Sequence, residues 1–272
     1  MMDLQSHSTF SDGELPPAEV VAAAVEAGVT TLALTDHDGI DGVAEAGEAA
    51  SAAGIALIPA TEISCVHGSI DDMHMLGYWV DTTAIAPACE RAQAERVTRA
   101  REIVERLAAQ GVPVTYEDAI AQAGDASSVG RPHIAQAAGA KPEEMKSFFE
   151  EWLIPGAKAF VPRRWPDAAE ATEIIHGAGG SAVLAHPFWD MEDPNEVAAL
   201  IDDLDLDGVE CFYPAHDRAQ TKFLLDVCRD RGLAATASSD CHGPNHKMFD
   251  SFLAYPTYDL GEPELPPRRT TD

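Results

Sequence analysis

Short apolar runs alternate with amphipathic stretches through the first third of the chain. Residues 32–35, 56–60 and 73–78 are aliphatic and flanked by turn formers, which predicts strands. Between them, 16–27 and 42–53 are rich in Ala, Glu and Val and close on Gly28 and Gly54, the residue type that ends helices. Pro17 and Asp41 supply matching start signals. From about Thr83 the strand signal disappears. Residues 90–109 form one long predicted helix with Val97, Ala100, Ile103, Val104, Leu107 and Ala108 on a single stripe. Shorter helical pieces follow at 116–122, 132–138 and 142–152. The earlier rhythm then resumes, with helices over 167–177, 194–204 and 219–231 and strands at 181–185, 208–212 and 233–237. With an opening strand at 3–5 the count is seven strands. The βαβα order implies a parallel sheet or barrel interrupted by a helical insertion. The proline-rich tail from Pro256 is expected to be irregular.

Charge narrows the functional classes. Over 272 residues, 46 acidic side chains face 18 Lys and Arg, a formal net charge of −28. Such a field repels polyanions, so binding to duplex nucleic acid is not expected. One small anionic substrate stays compatible, because bound cations reverse the local potential. Cys65, Cys89, Cys211, Cys228 and Cys241 are odd in number and form no C-x-x-C pair, which reads as free thiols in a reducing compartment. The first residues lack the basic and apolar regions of a signal peptide, and the apolar run at 20–25 is too short to span a bilayer. A cytoplasmic location is expected, with no membrane partner. Oligomeric state is not legible.

Most of the chemistry sits where the predicted strands end. Gln5-Ser6-His7, Thr35-Asp36-His37-Asp38, Thr61-Glu62, Ala185-His186-Pro187 and Ser239-Asp240-Cys241-His242 each place an imidazole or carboxylate there, and His74 lies inside the fourth strand. Any one of these is better read as an isolated surface or core residue. In an α/β barrel, however, the C-terminal strand ends converge on the mouth. Imidazoles and carboxylates gathered there form a ligand set for Zn²⁺, Mn²⁺ or Fe²⁺. No G-x-S-x-G elbow is present.

These motifs, together with Asp3-Leu4-Gln5-Ser6-His7 leading to Asp12-Gly13 and with His74-Met75-Leu76-Gly77, resemble the polymerase and histidinol phosphatase (PHP) superfamily over about residues 1–250. The insertion carrying Gly130-Arg131-Pro132-His133 is similar to its small nucleotide phosphoesterases. The resemblance implies a distorted (β/α)7 barrel from 1–82 and 166–272 with a helical cap at 83–165. It also implies two or three divalent ions: one on His7, Glu62 and Asp240, one on Glu62, His74 and His186, and one on Asp12, His37 and His242. The superfamily's first motif is His-x-His, and here Gln5 stands in its first position.

The implied activity is hydrolysis of a small phosphate monoester, with a nucleotide such as a 3′,5′-bisphosphonucleoside first among substrates. Histidinol phosphate, 5′-to-3′ cleavage of short oligoribonucleotides and a weakened metal-binding regulatory module are the alternatives. Arg131 and His133 are assigned to phosphate binding and catalysis, and His186 is a candidate proton donor to the leaving oxygen. Lys158, Arg163 and Arg164 are read as a basic cluster facing the substrate, and Asp36 and Asp38 as carboxylates that orient imidazoles. His67, His176 and His246 are read as surface residues, His216 as a helix-start residue near the site, and Cys241 as packing.

Overall fold

A computed structural model of the chain describes residues 1–123 and 129–269. Seven strands form one sheet in sequence order: β1 (Met2–Asp3), β2 (Thr31–Leu34), β3 (Ala56–His67), β4 (Ile70–Tyr78), β5 (Ser181–Leu184), β6 (Gly208–Phe212) and β7 (Ala234–Ala237). The edges approach each other. Leu4 N donates to Ala237 O at 3.1 Å, and Ser6 pairs with Cys241 beyond the named strands. The sheet is thus nearly closed into a distorted barrel.

Its sense is mixed, which corrects the expectation of a parallel sheet. β4 runs antiparallel to both β3 and β5, while the other neighbours are parallel. The cause is the two-residue connection Gly68-Ser69, which can close a hairpin but not a crossover. Gly68 takes the left-handed φ of 57° that such a turn requires. Both hairpin strands run longer than the apolar runs that announced them.

Side chains alternate across the strands. Leu4, Ala33, Ile58, Ala60, Leu76, Tyr78, Val183 and Ala185 form one fully buried cluster inside the barrel. The opposite faces of β3 to β7 pack on α7 (Ala168–Gly177), α8 (Pro194–Asp203) and α9 (Arg218–Arg231), while β2 packs on α1 (Pro17–Glu26) and α2 (Val43–Ala53). Glu62 and His74 keep step with Ala60 and Leu76, so the same alternation aims them at the interior.

The insertion starts with α3 (Thr82–Ala109), eight residues before the predicted helix start at 90. Asp81 caps it through the amides of Thr83 and Ala84, at 2.8 and 3.1 Å. Ile85 and Cys89 bury against the barrel on either side of Pro87, carrying the helix through a residue that normally interrupts one. Ile103 and Leu107, farther along, join Ile134, Leu153, Ala159 and Val161 in a separate cap core. That core is completed by α4 (Tyr116–Ala123), α5 (Arg131–Ala137) and α6 (Met145–Phe148), the last continuing as a π turn over Phe149–Leu153 where one straight helix was expected. Among the described residues no helix is long and apolar enough to cross a membrane.

Tyr78 ties the barrel wall together by donating its hydroxyl to Leu4 O at 2.7 Å, with both residues fully buried. Removing the donor leaves a buried carbonyl short of a partner. Tyr78→Phe should therefore lower the unfolding free energy by about 1–3 kcal/mol. Urea denaturation monitored by far-UV circular dichroism checks this, and a loss indistinguishable from zero would contradict it.

Candidate metal centre

The chain brings its strand-end residues together through local backbone turns. Asp38, His186 and Asp240 adopt left-handed φ values of 51°, 26° and 55°, a conformation rare for residues with a Cβ. Each lies just past a strand, where the chain bends across the barrel mouth. The loop bearing Asp12 is fixed differently. Asp36, buried, accepts from Ser8 N and Ser8 Oγ, each at 2.7 Å, and from Ser11 Oγ at 2.8 Å. Gly13 completes that loop, because a Cβ there would sit 2.3 Å from His7 O.

Glu62 is the hub. His74 Nδ1 lies 2.9 Å and His186 Nε2 3.4 Å from its Oε1, while His7 Nε2 lies 3.1 Å and His37 Nδ1 3.3 Å from its Oε2. His7 Nε2 is also 3.1 Å from Asp240 Oδ1. Asp12 faces His37 and His242 at 3.6 and 3.5 Å. Three groups of potential ligand atoms result, each compact within 4.8 Å: His7, Glu62 and Asp240; His37, Glu62 and His74; and His7, Asp12, His37 and His242. His186 adjoins the second group through Glu62 and through His74 Nδ1 at 3.3 Å.

Electrostatics here are those of crowded opposite charges. Burial works against the charge on Glu62, yet His74 and His37, with His186 and His7 close by, hold its carboxyl well below the usual range. Asp12, half-exposed at the rim, is held low by His37 and His242. Burial opposes a charged His7, but the Asp240 and Glu62 carboxylates beside it outweigh that and raise its pKa. For His37 burial prevails, and its pKa falls to about 4.

The donor set fits divalent ions. His7 Nε2, His37 Nδ1, Glu62 Oε2 and Asp240 Oδ1 are buried, point into the cluster and have no well-formed hydrogen bond. Four unsatisfied polar atoms in one place would be costly in a finished core, and they are the atoms that imidazole–carboxylate coordination employs.

Sequence relatives decide the family. The PHP domain model matches residues 3–97. A 3′,5′-nucleoside bisphosphate phosphatase of Chromobacterium violaceum is 34% identical over 257 residues, covering 89% of this chain and 87% of that one. The chain belongs to the PHP family. A 5′-3′ exoribonuclease of Haemophilus influenzae is 36% identical over 249 residues, covering 89% and 90%. A crystal structure from Bifidobacterium adolescentis, assigned by inference as a metal-dependent phosphoesterase, superposes with a TM-score of 0.78 at 31% identity, covering 91% and 89%.

Above the PHP cluster opens a cavity of about 310 Å³ lined by Asp12, His37 and His74 on the barrel side and by Arg96, Arg99, Arg131 and Arg163 on the other. A second lobe of about 290 Å³ shares Asp12, His37 and Arg96 and continues past His133, Gln136, His246 and Phe249. Arg131 and Arg163 both reach Asp72, at 2.6 and 2.8 Å, and Arg99 pairs with Asp71. Arg96 donates from Nε to Asp38 at 2.5 Å and from a guanidinium nitrogen to Ser64 Oγ at 2.6 Å.

Several sequence-based assignments change. Lys158 and Arg164 do not join Arg163 at the cavity: Lys158 is exposed, paired with Glu151 and stacked over Trp152, and Arg164 is exposed beside Glu102. Contiguity in sequence gave these residues divergent directions where the insertion returns to the barrel. The main cationic wall instead comes from α3, whose Arg96 and Arg99 lie one turn apart. Their spacing in an acid-rich chain was the available signal. Asp38 holds arginines rather than an imidazole, whereas Asp36 reaches His7 only through Ser11, whose hydroxyl is 3.3 Å from His7 Nδ1.

Further residues are displaced from their expected settings. His246 is not a bystander, since it stacks on His242 with ring centres 4.9 Å apart. His216 is buried with Nδ1 against Cys211 O, His176 lies remote from the mouth against Asp207, and His67 lines a surface hollow by the β3–β4 turn. Cys241 is buried as packing. Gln5 is fully buried with its Oε1 3.3 Å from Ser238 Oγ, and that hydroxyl also bonds Glu210. Glu210, overlooked in an apolar strand, accepts the amide of His186 at 2.8 Å, and burial pushes its pKa up to about 8.

Asp38 has no solvent-exposed side-chain surface, so it depends on its arginines. Burial alone would raise its pKa, and Arg96 and Arg163 bring it below the ordinary value. Its lowered pKa contributes stability above the unfolded-state value, lost as pH falls through the folded one. Arg96→Met leaves burial opposed only by Arg163 and the Ser64 amide, so the variant should lose about 3–5 kcal/mol at pH 7.5. The deficit should shrink as Asp38 protonates in acid. Urea unfolding of both proteins at pH 7.5 and pH 4.5 measures this. A deficit that is constant or grows toward acid would refute the pairing.

Proposed function

We propose that the protein hydrolyses the phosphate monoester of a small nucleotide, a nucleoside 3′,5′-bisphosphate being the best-fitting substrate. As a member of the PHP family it is a metal-dependent phosphoesterase. One observation carries the nucleotide reading. In a chain of net charge −28, the unsatisfied His–carboxylate cluster faces a wall of four arginines across a cavity of about 310 Å³, within the usual size of ligand pockets. A substrate with two phosphates finds one anion site at the cluster and another on the arginines. The similarity to the nucleoside bisphosphate phosphatase supports the same choice.

His7, Glu62 and Asp240 would hold one ion; Glu62, His74 and His186, with His37 adjacent, a second; and Asp12, His37 and His242, with His7 adjacent, a third. Imidazole with carboxylate suits Mn²⁺, Fe²⁺ or Zn²⁺. The chemistry a divalent ion supplies when bound is Lewis-acid polarisation of the phosphoryl group and a nucleophile drawn from water at neutral pH. The chain's own residues do the rest. Arg131 and Arg163 offer planar forks matched to phosphate oxygens and orient the ester over the cluster. His133 accepts the Gly130 amide on Nδ1 at 3.1 Å, and burial lowers its pKa. Its proton therefore rests on Nε2, where the neutral ring can donate a hydrogen bond to a substrate phosphate oxygen in the second lobe. His186 is assigned to the ligand shell. Gln5, turned to Ser238, adds no imidazole to the first ion position.

The two lobes meet at Asp12 and His37, a path along which a short strand could pass the cluster. This favours 5′-to-3′ cleavage of very short oligoribonucleotides as the second reading, matching the similarity to an exoribonuclease. The net charge of −28 repels duplex nucleic acid, which stays outside the proposal. Five unpaired, buried cysteines support a reducing cytoplasm.

Products separate the readings. With Mn²⁺ supplied, adenosine 3′,5′-bisphosphate should release inorganic phosphate faster than a 5′-phosphorylated pentaribonucleotide releases mononucleotides. The reverse order would favour the exonuclease. Arg131→Ala should raise KM at least about tenfold with less effect on kcat, and Arg131→Lys should recover little of it. Kinetics equal to the parent's would remove Arg131 from the phosphate site.

A further inference from the structure

Trp189 stands out in the cavity because it is unfinished. Its residue surface is 52% exposed, and it is the only aromatic among the exposed large hydrophobic residues described. An indole is one of the most valuable groups a fold can bury, and the other described tryptophans are more covered. Trp189 nevertheless sits on rigid ground. It ends the 3₁₀ turn Pro187–Trp189, its amide donates to His186 O at 2.8 Å, and its ring contacts His186 and Phe249 with centres 6.5 and 5.9 Å away. The remaining indole surface lines the lobe that holds His74, Asp72 and Arg131. From the cap, Phe149 lines the same lobe, with the Arg131 guanidinium 5.9 Å from its ring centre.

We propose that Trp189 is the platform on which the substrate's nucleobase stacks, and so a specificity-determining residue for nucleotides over base-free phosphate esters. The inference rests on the nucleotide reading above and names the contact that enforces it. A phosphate on the His–carboxylate cluster and the arginines leaves the rest of its molecule beside a fixed, half-bare indole. A flat π-system covers that indole without needing a hydrogen-bond code, so the platform accepts different bases. A sugar phosphate or glycerol phosphate makes no such contact. Trp189 touches no reacting atom in this scheme; it acts on binding.

The test compares two non-hydrolysable probes, an adenosine 5′-phosphonate and a ribose 5-phosphonate, by calorimetry on the Mn²⁺-loaded protein. Trp189→Ala should weaken the adenosine probe by about five- to a hundredfold and the ribose probe by less than about twofold, and Trp189→Phe should recover most of the loss. In steady state the Trp189→Ala change should fall on KM for the bisphosphate with kcat nearly constant, as loss of uniform binding requires. Indole fluorescence should be quenched by the adenosine probe in the parent and much less in Trp189→Phe. Equal affinity of parent and Trp189→Ala for the adenosine probe, no measurable binding of it, or equal losses for both probes would overturn the platform. Selective loss of the adenosine probe in a protein that releases phosphate from no ester would uphold the platform and overturn the hydrolase reading.

Discussion

A single carboxylate with no exposed surface organises this molecule. Glu62 stands at mid-strand in β3 and meets four imidazoles, His7, His37, His74 and His186, at 2.9–3.4 Å. Those imidazoles come from distant points of the chain, so the barrel must close to assemble them. A buried charge is tolerated only when neighbours compensate it, and here the compensation is shared among groups that also need deprotonated nitrogen to bind an ion. The centre would suit a cationic occupant: an ion held there would take the deprotonated nitrogens and supply in place of imidazolium the charge that compensates Glu62.

The arginine wall extends the same constraint outward. Asp38, Asp71 and Asp72 anchor Arg96, Arg99, Arg131 and Arg163, drawing residues from the loop after β2, from β4, α3, α5 and the returning chain into one face. Four guanidinium groups gathered on one face concentrate positive charge at the cavity of a strongly acidic protein, where an anionic substrate needs it. This arrangement also explains why α3 is shared: its first turns pack on the barrel, and its later turns carry arginines over the mouth and into the cap.

Much of the fold and of the cluster was legible in the sequence because strand ends are marked by local signals. His7, His37, His186, Asp240 and His242 each follow an apolar run, and barrel geometry makes such ends converge; Glu62 also follows one, but β3 continues past it to His67, so it faces the interior from mid-strand. The antiparallel β4 was not legible, since its apolar run looks the same in either direction and only the two-residue turn fixes the sense. Arg96 and Arg99 were hidden within an amphipathic helix, where exposed-looking arginines are ordinary until the helix is docked. Lys158 and Arg164 were over-read for the opposite reason, adjacency in sequence without convergence in space. Trp189, two residues after Pro187 and three after His186, carried no signal separating a core indole from a half-covered one.

The claim that the His–carboxylate cluster is an ion site is tested most directly by melting the chelator-treated protein across a Mn²⁺ titration, with bound metal counted by elemental analysis. Ions that bind the folded state alone raise its stability with the logarithm of their concentration above Kd. The account predicts a saturable rise in Tm with at least two ions per chain, and a much smaller rise in Glu62→Gln, whose carboxylate belongs to two of the three groups. A Tm that does not respond to Mn²⁺, or a Glu62→Gln variant that responds as fully as the parent, would contradict it.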